Sequence, residues 1–221
     1  MNRNLFLVIP VCLLLFSCAS KITTPKKPLS LTGHKKILIY PFKDITTIYG
    51  EKASIRCPIC GNVFVTGKVE KNAGAILSEH LVSIMKKKKT FELIPPEQVV
   101  GVIPGRTNEK EKRLSNIKII VNVGKSLQAD AVLVGYVYSF RDRVGSWYSA
   151  SKPASVAFDI HLLNVADGSV EWEGHFDETQ KTLFENLFNL NSFIKRKGRW
   201  VTADEMAAAG IKEMVGEVFY K

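Results

Sequence analysis

The run Arg56-Cys57-Pro58-Ile59-Cys60-Gly61-Asn62 holds the residues of this chain best suited to chemistry. Two thiols separated by two residues can close on zinc as one knuckle of a ribbon, although a full structural site needs four ligands and usually two such knuckles. The same Cys-Pro-x-Cys spacing serves thiol–disulfide exchange where a helix N-terminus lowers the pKa of the first thiol. A short-range disulfide is the third chemistry. Its ring is small, so loop-closure entropy contributes little and the bond would mainly stiffen a loop. Cys57 and Cys60 are therefore candidate zinc ligands or candidate disulfide partners, and the two are exclusive. Gly61-Asn62 and the β-like Val63-Phe64-Val65 follow the pair where an oxidoreductase would start a helix, so redox is the weakest of the three. Closing a zinc site within one chain would need two histidines; otherwise another subunit must supply ligands.

Which chemistry applies depends on the compartment, and the N-terminus bears on that. After the positive start Met1-Asn2-Arg3-Asn4 comes an apolar run, Leu5 to Phe16, with Pro10 inside it. Those 12 residues reach roughly 18 Å as a helix, short of a hydrocarbon core of about 30 Å, so the run suits a secretory signal better than a membrane anchor. Leu15-Phe16-Ser17-Cys18 resembles a bacterial lipobox: an aliphatic residue at −3, a small residue at −1, then the obligatory cysteine. The resemblance implies cleavage before Cys18 and lipidation of its thiol, and two or three acyl chains anchor stably. Ala19, rather than Asp, follows the cysteine, which by resemblance to the enterobacterial sorting rule favours the periplasmic face of the outer membrane. Cys12 would leave with the signal peptide and Cys18 would carry lipid, so neither is a spare ligand. The periplasm of many bacteria permits disulfides.

Residues 1–17 thus read as a lipoprotein signal peptide, 18–36 as a tether and 37–221 as a single α/β domain. The tether, Ala19 to Lys36, is rich in Pro, Ser, Thr and Lys and shows no apolar period. The side-chain charge of +10 falls to +9 when Arg3 leaves with the signal. Export excludes nucleic acid as the partner for that surplus. Anionic headgroups, lipopolysaccharide phosphates and cell-wall carboxylates are the available targets.

The elements that must position Cys57 and Cys60 follow from periodicity. Ile37 to Phe42 is a continuous apolar run, the mark of a strand buried on both faces and stopped by Pro41. A long irregular connection, Lys43 to Lys71, then carries the cysteines. From an Asn72 cap, Ala73, Ile76, Leu77, His80, Leu81, Ile84 and Met85 share a helix face, and the helix ends in the solvated run Lys86 to Lys89. A short strand at Phe91–Ile94, a short helix at Glu97–Ile103 and a longer one at Asn108–Gln128 come next. The longer helix turns Leu114, Ile117, Ile120, Val121, Gly124 and Leu127 inward. Ala131 to Phe140 is a second apolar strand, and Arg141 to Lys152 a polar loop with Trp147 and Tyr148. Ala154 to Val165 alternates, with Val156, Phe158, Ile160 and Leu162 on one face and Asp159 and His161 on the other, as a half-buried antiparallel strand does. Ala166-Asp167-Gly168 turns the chain into a returning strand that starts at Val170. Short helices over Leu183 to Ile194 and a capping box at Thr202–Glu205, opening a helix with Met206, Ile211, Met214, Val215 and Val218 inward, complete the order. The order β-α-β-α-α-β-β-β-α predicts one layered α/β (α+β) domain with a mixed sheet packed by amphipathic helices.

No motif joins His34, His80, His161 or His175 to a nucleophile, and no Gly-rich phosphate loop occurs. The chain therefore reads as a non-enzyme with no catalytic residues.

Several of these stretches together resemble a group of periplasmic domains: the curli-secretion lipoprotein (CsgG) family, the peptidoglycan-synthase activator lipoprotein (LpoB) family and the TolB amino-terminal domain. The resemblance rests on Ile39-Tyr40-Pro41-Phe42, on Phe91-Glu92-Leu93-Ile94-Pro95, on Gly124, Leu127, Ala129, Asp130 and Gly135, and on Val165, Asp167, Gly168, Val170 and Trp172. It covers roughly residues 36–176 and leaves 177–221 as a helical C-terminal part. Curli-type pores insert long strand pairs, and the short polar loop Arg141–Lys152 departs from them. The resemblance implies an assembly or interaction role with an envelope protein partner, compatible with a homo-oligomer, and supplies no site residues. The expectation is a lipid-anchored adaptor; the alternative is a periplasmic redox or zinc-linked protein using Cys57 and Cys60.

Overall fold

The computed structural model describes residues 29–87, 90–99, 117–180 and 199–216. Cys18, the signal segment and residues 18–28 lie outside these, as do the end of the lysine run and residues 100–116, 181–198 and 217–221. The helical segments expected over 108–116 and 183–194, together with Val218, therefore fall outside the described residues.

Lys36–Ile39 forms β1, and Ile37, Leu38 and Ile39 are buried on both sides of it as the unbroken apolar run requires. The connection expected to be irregular is organised. It holds β2 (Lys43–Asp44), one helical turn α1 (Thr46–Tyr49) and an antiparallel hairpin of β3 (Ser54–Arg56) and β4 (Val63–Val65). Helix α2 (Ala73–Lys86) follows; Asn72 precedes it but makes no side-chain cap bond. Then come β5 (Glu92–Ile94), a 3-10 turn (Pro96–Val99) at the start of the short helix expected over 97–103, whose remainder lies outside the described residues, and α3 (Ile117–Ser126). The chain continues through β6 (Ala131–Arg141), a small hairpin of β7 (Val144–Gly145) and β8 (Ala150–Lys152), β9 (Ser155–Asn164) and β10 (Val170–Thr179). Helix α4 (Ala203–Gly216) closes the series. Its capping box is formed: the Glu205 amide donates to Thr202 Oγ1 at 3.1 Å and the Thr202 amide donates to Glu205 Oε2 at 3.0 Å.

The main sheet has the order β10-β9-β6-β1-β5, with β2 on β6. β1 runs parallel to β5 and β6, while β6, β9 and β10 form an antiparallel meander. The sheet is mixed, as expected. Gly168 turns β9 into β10 at φ +76°, a conformation that glycine adopts without steric cost. Asp130 ties the start of β1 to the start of β6: its Oδ2 accepts the Lys35 and Lys36 amides, each at 2.8 Å. Gly124 lets α3 lie close on the sheet, since a Cβ there would stand 2.8 Å from Val165 and 2.9 Å from Val132.

Each face of the sheet carries its own layer. On one side α2 and α4 bury Leu77, Leu81, Met85, Met206, Ile211 and Met214 against Phe158, Ile160, Leu162 and Phe176. On the other, α3 covers Leu38, Val132, Val134 and Leu163, and the β3–β4 hairpin covers Tyr136, Tyr138 and Ala157. β9 is therefore enclosed on both faces, from Val156 through Leu163, rather than half-buried. Its alternation is real, but the polar face looks onto the hairpin instead of water. Among the described residues no helix is long and apolar enough to cross a membrane.

Candidate metal centre

Strand alternation in the hairpin turns Ile55 and Phe64 inward and leaves Ser54, Arg56, Val63 and Val65 exposed. Between the strands, Cys57-Pro58-Ile59-Cys60-Gly61-Asn62 winds into a tight turn. The Gly61 amide donates to the Cys57 carbonyl at 3.0 Å, and the Cys57 amide donates to the Asn62 carbonyl at 2.8 Å. Gly61 sits at φ +75°, which a side chain would resist. The Ile59 amide donates to Cys57 Sγ at 3.4 Å, so the turn itself supplies a donor to that sulfur. The hairpin is seated by Phe64, whose ring stacks on Tyr138 with centroids 3.9 Å apart and planes 6° apart.

Beneath the turn lie Asp159 and His161, two residues apart on β9 and hence on one face of it. Cys57 Sγ is 3.7 Å from His161 Nε2. One ligand atom from each of Cys57, Cys60, Asp159 and His161 falls within 4.8 Å of all the others. His161 is 0% exposed, Asp159 1% and Cys57 3%, while Cys60 is half-buried. Asp159 Oδ1 accepts the Tyr136 amide at 3.0 Å and its Oδ2 accepts the Tyr138 hydroxyl at 2.5 Å. A β-bulge between Val137 and Ser139 interrupts the ladder beside this contact. His161 Nδ1 lies 3.8 Å from Asp159 Oδ1, and among the described residues it has no hydrogen-bond partner.

The electrostatics follow from enclosure. Burial drives the Asp159 carboxyl well above the ordinary carboxylate range, and burial likewise raises the Tyr138 phenol. Burial would lower His161, but its hydrogen bond to Cys57 and the nearby Asp159 charge outweigh that and raise it. The hydrogen bond between the two thiols splits them: it raises Cys57, with burial adding, and lowers Cys60.

Both cysteines are free thiols in this structure. The set of two thiols, one imidazole and one carboxylate is a donor set for a tetrahedral divalent ion. Where the sequence offered two histidines or a second subunit to complete a zinc site, the fold brings one histidine and one aspartate from β9 to the two thiols. The redox reading gains no helix, because β4 follows the Cys57–Cys60 turn. Two surface clefts, of about 680 Å³ beside Phe42 and α2 and about 560 Å³ beside Asp130, are lined by none of the four residues. The other histidines serve structure: His34 pairs with Glu171 at 2.7 Å, His80 with Asp204 at 2.7 Å, and His175 lies edge-on to Phe64. Asp159 and His161 escaped notice as site residues because a polar face on an alternating strand reads as solvent-facing. The one signal was that the pair repeats at the spacing of a single strand face.

No family model and no curated protein matches the chain. Solved structures do. The chain is similar to the PelC dodecamer from Paraburkholderia phytofirmans, with a TM-score of 0.51 and 12% identity, covering 89% of this chain and 96% of that one. It also matches lipoprotein GNA1162 from Neisseria meningitidis, with a TM-score of 0.41, 13% identity and coverage of 74% and 97%. The LpoB C-terminal domain from Salmonella enterica matches with a TM-score of 0.39, 14% identity and coverage of 66% and 83%. At 12% identity, what the chain shares with PelC is the fold.

Proposed function

We propose that this chain is a lipid-anchored lipoprotein of the cell envelope, held through Cys18 at the periplasmic face of the outer membrane, and that it acts as a non-catalytic interaction or assembly adaptor. The observation that carries the reading is enclosure. The side chains best suited to chemistry form one cluster, three of its four members are at most 3% exposed, and neither of the two clefts described opens onto it. Among the described residues only Cys60 of the cluster reaches the surface, which suits a scaffold that presents surfaces better than a site that turns over a substrate.

The β7–β8 hairpin supports an interaction role. Trp147 is 61% exposed and Tyr148 72%, their rings in T-shaped contact at 5.4 Å. The Trp200 amide, donating to the Trp147 carbonyl at 2.9 Å, fixes the hairpin to the domain. Presented aromatic side chains of this kind are typical anchors of protein interfaces. PelC forms a dodecamer, which makes a second copy of this chain the first partner to look for.

In-cell cross-linking tests the reading. The native chain is expected to give a discrete cross-linked product in the membrane fraction, and the double variant W147S/Y148S to lose most of it without loss of folding. Cys18→Ser should leave an uncut, unlipidated precursor. An unchanged mature mass and unchanged membrane association in that variant would refute the anchor, and absence of any cross-linked product from the native chain would refute the adaptor.

A further inference from the structure

We propose that Cys57, Cys60, Asp159 and His161 bind one zinc ion, and that the ion fastens the β3–β4 hairpin to the central sheet. The geometry is that of a tetrahedral site approached from two sides. With Zn–S near 2.3 Å, Zn–N about 2.0–2.1 Å and Zn–O about 2.0–2.2 Å, ligand atoms in a tetrahedron stand about 3.3–3.8 Å apart. Cys57 Sγ and His161 Nε2 are 3.7 Å apart, and all four donors lie within 4.8 Å of one another. The bound of 4.8 Å stands about 1 Å above the longest tetrahedral separation, so the set must draw together on binding. Four protein ligands leave no open position, so the site is structural rather than catalytic.

The surroundings suit a metal and suit its absence badly. Asp159 and His161 are fully enclosed, and an enclosed charge without compensation is costly. Two thiolates and one carboxylate carry three negative charges; the ion cancels two of them. The remaining charge is met by donors already in place: the Ile59 amide on Cys57 Sγ, and the Tyr136 amide and Tyr138 hydroxyl on Asp159. Such outer donors orient and tune metal ligands. With Nε2 on the metal, the proton of the imidazole sits on Nδ1, which faces Asp159 Oδ1 at 3.8 Å and otherwise lacks a hydrogen-bond partner among the described residues. On binding, each thiol gives up its proton to solvent. Two sulfurs with one nitrogen and one oxygen favour zinc over the hard cations, which prefer oxygen.

The clamp has a mechanical purpose in this fold. β3 and β4 are three residues each and pair only with one another. A lone two-stranded hairpin is marginal in water. The ion joins the tip of this one to β9, which is enclosed on both faces.

The test uses the full-length lipoprotein extracted in detergent without added metal. Zinc per chain is measured, and the thiols are alkylated without reductant. The expected result is about one zinc per chain, with both Cys57 and Cys60 protected until a chelator is added. Chelation should lower the Tm by on the order of 10 °C. Cys60→Ser, at a half-buried position that tolerates the change, should lose the zinc and the response to chelator. In cobalt titrations of the chelated protein, His161→Gln should bind at least tenfold more weakly, as loss of a ligand demands. If that variant does not fold, the spectrum of the native chain decides the same point, because two thiolates with nitrogen and oxygen differ from four thiolates shared between two chains. A Cys57–Cys60 disulfide in the freshly extracted protein, zinc-free thiols that alkylate at once and take up no zinc, or a four-thiolate cobalt spectrum would each overturn the proposal.

Discussion

The two faces of the central sheet are covered by different means. One is sealed by α2 and α4 with apolar side chains throughout: Phe158, Ile160 and Leu162 meet Leu77, Met206 and Ile211. The other is shared between α3 and a small hairpin, and beneath the hairpin the sheet presents Asp159 and His161. The first face holds by area, which at about 25 cal/mol per Å² needs no particular partner. The second holds two polar side chains out of water, and these demand specific partners. A surface built by area tolerates change in shape but not in volume; a surface built on partners fails when one partner is lost.

The largest expected effect lies on the apolar face. Phe158→Ala should cost about 3–5 kcal/mol, read from urea midpoints, because the ring fills the space between Phe42 and Phe176 and a cavity remains. The loss should be the same with and without chelator. If chelation changed it, the two faces would not be independent.

On the hairpin face, Cys57→Ser should cost about 3–4 kcal/mol in zinc-replete buffer and far less in chelated protein, since stabilisation by a bound ion follows its occupancy. Equal losses in both buffers would place Cys57 with the apolar packing and remove the contrast.

A third prediction concerns pH in the metal-free protein. Asp159 and His161 both have folded pKa values raised above their unfolded ones. Groups shifted upward stabilise the fold below the unfolded pKa, and that contribution is lost as pH rises through the folded value. Chelated protein should therefore lose stability from acid toward neutral pH, and D159N should flatten the profile. Zinc-loaded protein should show the reverse trend, because ligation requires deprotonated thiols.

The smallest effect is outside both faces. Asp130 accepts two backbone amides, which hold its carboxyl below the ordinary range. Its contribution is present above the unfolded pKa and is lost as pH falls through the depressed folded value. Asp130→Asn should cost a few tenths of a kcal/mol at neutral pH, with native and variant urea midpoints converging in strong acid.

The same contrast explains what the sequence disclosed. The apolar face was legible because its signal is periodic: Val156, Phe158, Ile160 and Leu162 alternate along β9, and Leu77, Leu81 and Met85 repeat along α2. The capping box at Thr202 and the turn at Gly168 were legible because their residue types have local causes. The Cys57–Cys60 knuckle was visible as chemistry, but its completion was not. Asp159 stands 99 residues beyond Cys60 in the chain, and polar alternation on β9 reads as a wet face unless the covering element is known. That element, the β3–β4 hairpin, is too short at three residues per strand to announce itself by period. His161 became a candidate ligand only when the fold laid the hairpin over it.

X-ray absorption at the zinc edge, on the full-length detergent-extracted protein, tests the central claim most directly. The predicted first shell is two sulfurs near 2.3 Å and two nitrogen or oxygen atoms at about 2.0–2.2 Å, with the imidazole pattern lost in His161→Gln. A shell of four sulfurs, a shell without sulfur, or no bound zinc beside a Cys57–Cys60 disulfide would contradict it.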